Sequence, residues 1–172
     1  MKVLFNKSIN QHVEELNKMN LFPIPDKDTG TNLKATLECI ENIEFNNLRD
    51  YLKNISDKLI LNARGSSGNI LALFTIGLSK NYSENLSEMC KKAAEFTWAT
   101  MYDPKEGTIL TAMKSVPEEY KDYRDFINQY YENVKRVYDE DYKKIEILNK
   151  NNQKDSGTLG FLYILEDLRE LI

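Results

Sequence analysis

Apolar residues recur at helical spacing along most of the chain, and the pattern predicts one helix after another. Ile9, Val13 and Leu16 set the stripe of a first helix, Ser8 to Met19, in which Ser8 and Gln11 have capping-box spacing. Leu33, Leu37 and Ile40 set a second, Leu33 to Ile43, and Leu48, Leu52, Ile55, Leu59 and Ile60 turn inward from a third, about Asn47 to Leu61. Ile70 to Lys80 is apolar on nearly every side, the mark of a central, buried helix. Ser87 to Met101 follows, with Met89, Ala93, Phe96 and Trp98 as core residues. Thr108 is a natural N-cap for a helix that opens Ile109-Leu110 and continues to Met113. Phe126, Ile127, Tyr130, Val134, Val137 and Tyr138 belong to one long helix, and a shorter one runs through Tyr142 to Leu148. The many aromatic and charged residues between Glu118 and Lys150 read as a solvated face. Thr158 to Ile172 is a closing amphipathic helix. The expected fold is all-α.

Composition adds bounds. A chain of 172 residues makes one domain, 1–172, with room for a core. Hydrophobic residues at 41% and charged residues at 29% fit a water-soluble globule, and a net charge of -4 argues against a general nucleic-acid surface. The longest apolar run, Ile70 to Leu78, is interrupted by Thr75 and Gly77. It falls far short of the roughly 20 residues that a membrane span needs. The start, Met1 to Lys7, has no apolar core of signal-peptide length, so the expected location is cytoplasmic. Cys39 and Cys90 stand far apart without companion ligands and read as buried reduced thiols. The single His12 lies beside the first apolar stripe and reads as a surface or satisfied core residue.

Chemistry concentrates in Leu21-Phe-Pro-Ile-Pro-Asp26-Lys-Asp28-Thr-Gly30-Thr-Asn32-Leu33. Pro23 and Pro25 stiffen an arm that delivers two aspartates to the start of a helix. Free N–H groups at a helix start suit phosphate, and paired carboxylates suit a hard divalent cation. A plain capped turn satisfies the same residues. An EF-hand is excluded, because the fifth position from Asp26 is Gly30 and the twelfth is Leu37. No G-x-x-x-x-G-K-[ST] phosphate loop occurs in the chain. A second such stretch, Asn62-Ala-Arg-Gly65-Ser66-Ser67-Gly68-Asn, places two hydroxyls between glycines just before an apolar helix. Successive N–H groups at a helix start can cradle an anion, but Gly-Ser-Ser-Gly by itself does not outweigh a plain helix–helix turn.

Four collinear stretches resemble one family, the dihydroxyacetone-kinase nucleotide-binding domain. They are Leu16 to Leu33, Asn62 to Leu71, Glu106-Gly-Thr108-Ile-Leu110-Thr111, and Lys154-Asp155-Ser-Gly157-Thr-Leu-Gly160-Phe-Leu-Tyr163. Together they span nearly the whole chain. The pattern is most similar to the N-terminal domain of bacterial fatty-acid kinase, which reads L-N-x-x-N-x-F-P-V-P-D-G-D-T-G-T-N-M in the first stretch. The resemblance implies a barrel of about eight antiparallel amphipathic helices, with a nucleotide site in the loops at one end. It further implies that Asp26 and Asp28 hold Mg²⁺ and carry the catalytic role. Thr29, Gly30, Thr31 and Asn32 would support metal or phosphates, and Ser66, Ser67 and Gly68 would hold phosphates. Thr108, Leu110 and Asp155 would line the nucleoside.

Departures from the family pattern are local. Lys27 replaces a glycine between the aspartates, Ser66 replaces an asparagine, and Gly157-Thr158 replaces a pair of glycines. Leu21 stands where the dihydroxyacetone-kinase branch has a third metal carboxylate. The expected function is an Mg-ATP-binding kinase component. Its acceptor, a small hydroxy-ketone or a fatty acid, would be presented by a partner subunit or domain. The alternative is a non-catalytic ADP- or ATP-binding regulatory or sensor module.

Overall fold

A computed structural model describes residues 6–172. The part of the N-terminal segment read for a leader, Met1 to Phe5, lies outside the described residues. Among the described residues there are ten α-helices and no strand. They are α1 (Lys7–Gln11), α2 (Val13–Met19), α3 (Thr29–Glu38), α4 (Leu48–Asn62), α5 (Gly65–Lys80), α6 (Leu86–Thr100), α7 (Ile109–Lys114), α8 (Tyr123–Glu140), α9 (Glu146–Lys150) and α10 (Ser156–Leu171). A 3-10 turn, Asp141–Lys144, joins α8 to α9. The all-α expectation holds.

Two helices carry the core. α5 packs between α4 and α6 and also meets α3 and α7. It buries Ile70, Leu71, Ala72, Phe74 and Thr75, which is why its sequence is apolar on most sides. α10 is the second hub, packed against α8, α1, α7, α2 and α3. Phe161 of α10 meets Phe74 of α5 edge-on at 5.9 Å and Tyr130 of α8 at 5.8 Å, so one aromatic cluster locks three helices.

Among the described residues, side-chain caps start five helices, each from a residue type suited to the task. Asn47, Asn85, Thr108, Asp122 and Asp155 accept backbone N–H bonds from residues two or three positions on. The expected cap of Thr108 on Leu110 is present at 3.3 Å.

Several local expectations change. The first helix is broken at His12, giving α1 and α2. Ser8 is not an N-cap: its N–H and hydroxyl both bond the buried carboxylate of Asp167, which replaces the capping box. The second helix starts at Thr29 and ends at Glu38, earlier at both ends than its apolar stripe suggested. Ile60 is 61% exposed although its neighbour Leu59 is buried, because adjacent helix positions point to different faces of α4. The Glu118–Lys150 region is only partly a solvated face, since Phe126, Tyr130, Val134 and Tyr142 are buried. Cys39 is half-buried and Cys90 buried, and both are free thiols. Burial pushes the Cys90 thiol up to about 12, which keeps it protonated and inert. His12 stacks on Tyr163 at 4.5 Å and its Nδ1 meets the Ser8 carbonyl at 2.8 Å, as expected of a satisfied histidine.

Candidate functional site

The four motif stretches each open a helix, and the fold ties those openings together. The Thr29 hydroxyl of α3 lies 3.1 Å from the Ser156 hydroxyl of α10. The Ile109 amide of α7 donates to Asp155 Oδ2 at 3.1 Å. The Asn32 side-chain amide of α3 closes over Gly65, the first residue of α5, where φ is +65 and a Cβ would collide with it. A Cβ on Gly157 would stand 2.9 Å from Ser67 Oγ, so α10 and α5 also meet closely at their first turns.

Between these openings lies a cavity of about 360 Å³. Phe22 and Pro23 of the signature arm form one wall, and Ser66, Ser67 and Ile70 of α5 another. The α6–α7 connection supplies Met101 to Lys105, α7 supplies Thr108, Ile109 and Leu110, and Asp155 and Gly157 close the floor. Apolar walls with a few convergent polar groups are what a small-ligand site needs. A more open hollow of about 250 Å³, at Ser115, Asn133, Arg136 and Glu140, involves none of the four motifs.

The polar groups are arranged for anions at one side. Neither α3 nor α5 is capped by its own N-cap side chain; Asn17 takes the Thr31 N–H of α3 at 3.0 Å, and the positive dipole end of α5 is left for an anion. Ser66 and Ser67 lie within that first turn of α5 rather than in a loop before it. Asp155 is buried, and its Oδ2 takes three bonds: from Ile109 N, from Thr158 N at 2.7 Å and from the Thr158 hydroxyl at 2.8 Å. Asp155 also lines the cavity. Burial raises the Asp155 carboxyl above the usual carboxylate range, and the three donors oppose that rise.

Of the site residues expected from sequence, Ser66, Ser67, Thr108, Leu110 and Asp155 line the cavity together. Asp26 and Asp28 sit on the arm that continues from Pro23 into α3, Asp26 exposed and Asp28 half-buried. Asn20 donates to Asp26 Oδ1 at 2.5 Å, and among the described residues neither aspartate has a lysine or arginine partner. Among these residues no group of three or more His, Cys, Asp and Glu is gathered for a metal. Two carboxylates are the kind of donor set that Mg²⁺ takes together with phosphate oxygens and waters, without an all-protein cage.

The other expected residues serve packing or support. Gly30 is buried where α3 crosses the Val13 backbone of α2, and Gly68 is buried against the Thr36 hydroxyl. Thr31 is held by Asn17, which bonds its N–H and its hydroxyl at 3.0 Å each. Thr29 and Asn32 hold the arm to α10 and α5 respectively. Sequence reasoning missed the Met101–Lys105 segment. Nothing local showed that it faces the cavity.

The chain matches the DAK2 domain over residues 23–170 and belongs to that family. Its relatives include an uncharacterized protein of Mycoplasma genitalium, 29% identical over 94% of this chain and 33% of the relative. An uncharacterized protein of Staphylococcus epidermidis is 28% identical over 93% of this chain and 32% of its own length. One from Staphylococcus aureus is 32% identical over 65% of this chain and 22% of its own length. The chain thus spans about a third or less of these curated relatives. Membership makes it a dihydroxyacetone-kinase-like nucleotide-binding module. No described helix is long and apolar enough to cross a membrane.

Proposed function

We propose that this domain binds Mg-ATP or Mg-ADP and serves as the nucleotide-holding component of a phosphotransferase. The acceptor, a small hydroxy-ketone or a fatty acid as in the kinases it resembles, is presented by a partner subunit or domain. The observation that carries the reading is one cavity lined by the openings of α5, α7 and α10 and by the arm that leads to α3, with apolar side chains from α7 and serine hydroxyls from α5. That division matches a nucleoside with its phosphates. Its layout accords with a helical barrel whose functional loops share one end.

In this reading the apolar side chains of Ile109 and Leu110 receive the base. Asp155 accepts from the nucleoside. The first-turn amides of α5 and the hydroxyls of Ser66 and Ser67 donate to phosphate oxygens. Asp26 and Asp28 would hold Mg²⁺, and Asn20 fixes the Asp26 carboxylate. Bound there, Mg²⁺ would neutralise phosphate charge during transfer. Removing either carboxylate weakens that hold.

Isothermal titration with ADP, with and without Mg²⁺, tests the reading on the wild type and on Asp26→Ala and Asp28→Ala. Mg²⁺-dependent binding that drops at least tenfold in each variant is expected. Undiminished binding in both variants would overturn the assignment. A second reading, the non-catalytic nucleotide sensor, draws on Lys27. Lys27, with a φ of +58, stands between the two aspartates in sequence, and a cation near them opposes metal binding. Phosphoryl transfer with a reconstituted partner decides for the kinase, and nucleotide binding without turnover decides for the sensor.

A further inference from the structure

The segment joining α6 to α7 carries the most exposed large apolar side chain among the described residues. Tyr102 lines the cavity yet is 98% exposed. An aromatic ring left almost wholly in water forgoes the burial that usually accounts for its presence. Its backbone is not loose. Met101 packs on the core before it. After it, Asp103 takes a left-handed φ of +56 and its carboxylate pairs with Lys105 at 2.8 Å. The Thr108 hydroxyl donates to the Lys105 carbonyl at 2.8 Å, which anchors the far end of the segment. Both ends are therefore fixed, and the ring stands at the cavity mouth with only its own side-chain torsions to turn.

We propose that Tyr102 is the base-stacking residue of this site, turning over the mouth to cover a bound aromatic base. The inference rests on the nucleotide reading of the cavity. Ile109 and Leu110 of α7 already give the cavity an apolar wall. A flat heterocycle lying on that wall has one face satisfied and the other in water. Tyr102 supplies the second face. The polar groups of the cavity, Ser66, Ser67 and Asp155, engage the rim and the phosphates instead. Stacking of this kind tolerates any base with a π-face, so Tyr102 adds affinity for nucleotides over bare polyphosphate rather than selecting one base. Tyr102 is a positioning residue: it holds the base and leaves the phosphates to the helix openings.

The test is titration of Tyr102→Ala and Tyr102→Phe with Mg-ADP and with Mg-pyrophosphate, a probe that has the phosphates but no base. Tyr123→Ala, which removes an exposed ring outside the cavity, is the control. Loss of a stacking ring predicts that Tyr102→Ala weakens ADP about tenfold and leaves pyrophosphate unchanged. Tyr102→Phe and Tyr123→Ala should bind both as the wild type does. Undiminished ADP binding by Tyr102→Ala would overturn the inference, as would equal weakening of ADP and pyrophosphate, or a Phe variant as weak as Ala. A wild type that binds neither probe would instead overturn the nucleotide reading itself, and this inference with it.

Discussion

Asp155 and Ile109, 46 residues apart in sequence, are joined by a hydrogen bond of 3.1 Å from the Ile109 amide to the Asp155 carboxylate. The same oxygen caps α10 through Thr158. One buried side chain therefore sets the relative position of two helix openings at the cavity. Replacing it with alanine removes a helix cap and strands a buried amide. Asp155→Ala should cost about 2–4 kcal/mol of stability, read as a lower urea midpoint with an unchanged m-value. Asp155→Asn keeps an acceptor oxygen and should lose less.

The same residue makes a pH prediction. Burial raises its carboxyl in the folded state above the ordinary 3.8. Between that value and the raised one the folded protein holds more protons than the unfolded chain. Stability contributed at this site therefore falls as pH rises through that window, and is regained as pH falls. Asp155→Asn should remove this slope. Urea midpoints of the two proteins measured across the acidic range, and subtracted, show it. A difference that does not vary with pH would mean that the three donors fully offset the burial.

Much of the fold was legible, because helical periodicity is a local property. Leu33, Leu37, Leu52 and Leu59 all fell where their spacing put them, in the core. Candidate motifs were legible for the same reason, each being a short stretch opening a helix. Pairings across the chain were not. Nothing near Ser8 signals that its partner is Asp167, 159 residues away. Gly68 reads in the sequence as part of a phosphate cradle, and nothing local shows that its lack of a side chain also lets α5 pass the Thr36 hydroxyl. Tyr102 was invisible as a site residue, because exposure at a cavity mouth depends on where three other helices end.

Asp167 is 2% exposed and receives the Ser8 amide at 3.0 Å and the Ser8 hydroxyl at 2.6 Å. The pair fastens α1 to α10 in place of a local cap. Ser8→Ala removes one bond and should cost about 1–2 kcal/mol, while Asp167→Ala strands both donors and should cost about 2–4 kcal/mol. The double variant should be little worse than Asp167→Ala alone, since the hydroxyl has lost its acceptor already. Denaturant titration of the four proteins of the cycle measures this. Simple additivity would show that the two side chains do not act together.

Gly77 marks the closest passage of α5 and α6. A Cβ there would stand 2.7 Å from the Ala93 Cα and 3.0 Å from the Ala93 carbonyl oxygen, both backbone atoms that cannot swing aside. Gly77→Ala should therefore destabilise by about 1–3 kcal/mol, against the usual gain when alanine replaces a helical glycine. Thermal unfolding followed by circular dichroism reads the sign directly. A higher melting temperature would show that the two helices separate easily.

Lys27 has the left-handed backbone that a glycine accepts without strain. Lysine there costs about 1 kcal/mol, because its Cβ crowds the following carbonyl. Among the described residues no ion pair to Asp26 or Asp28 offsets this. Lys27→Gly should raise stability by about that amount in denaturant titration. It also removes a cation from between the two aspartates, so in the proposed site it should strengthen Mg²⁺-dependent ADP binding in the same calorimetric assay. Lys27→Met separates the two effects: it removes the charge and keeps the strain, so it should gain affinity without gaining stability. If both variants instead lost ADP affinity, the ammonium would be a phosphate contact, and the lysine would serve the site rather than weaken it.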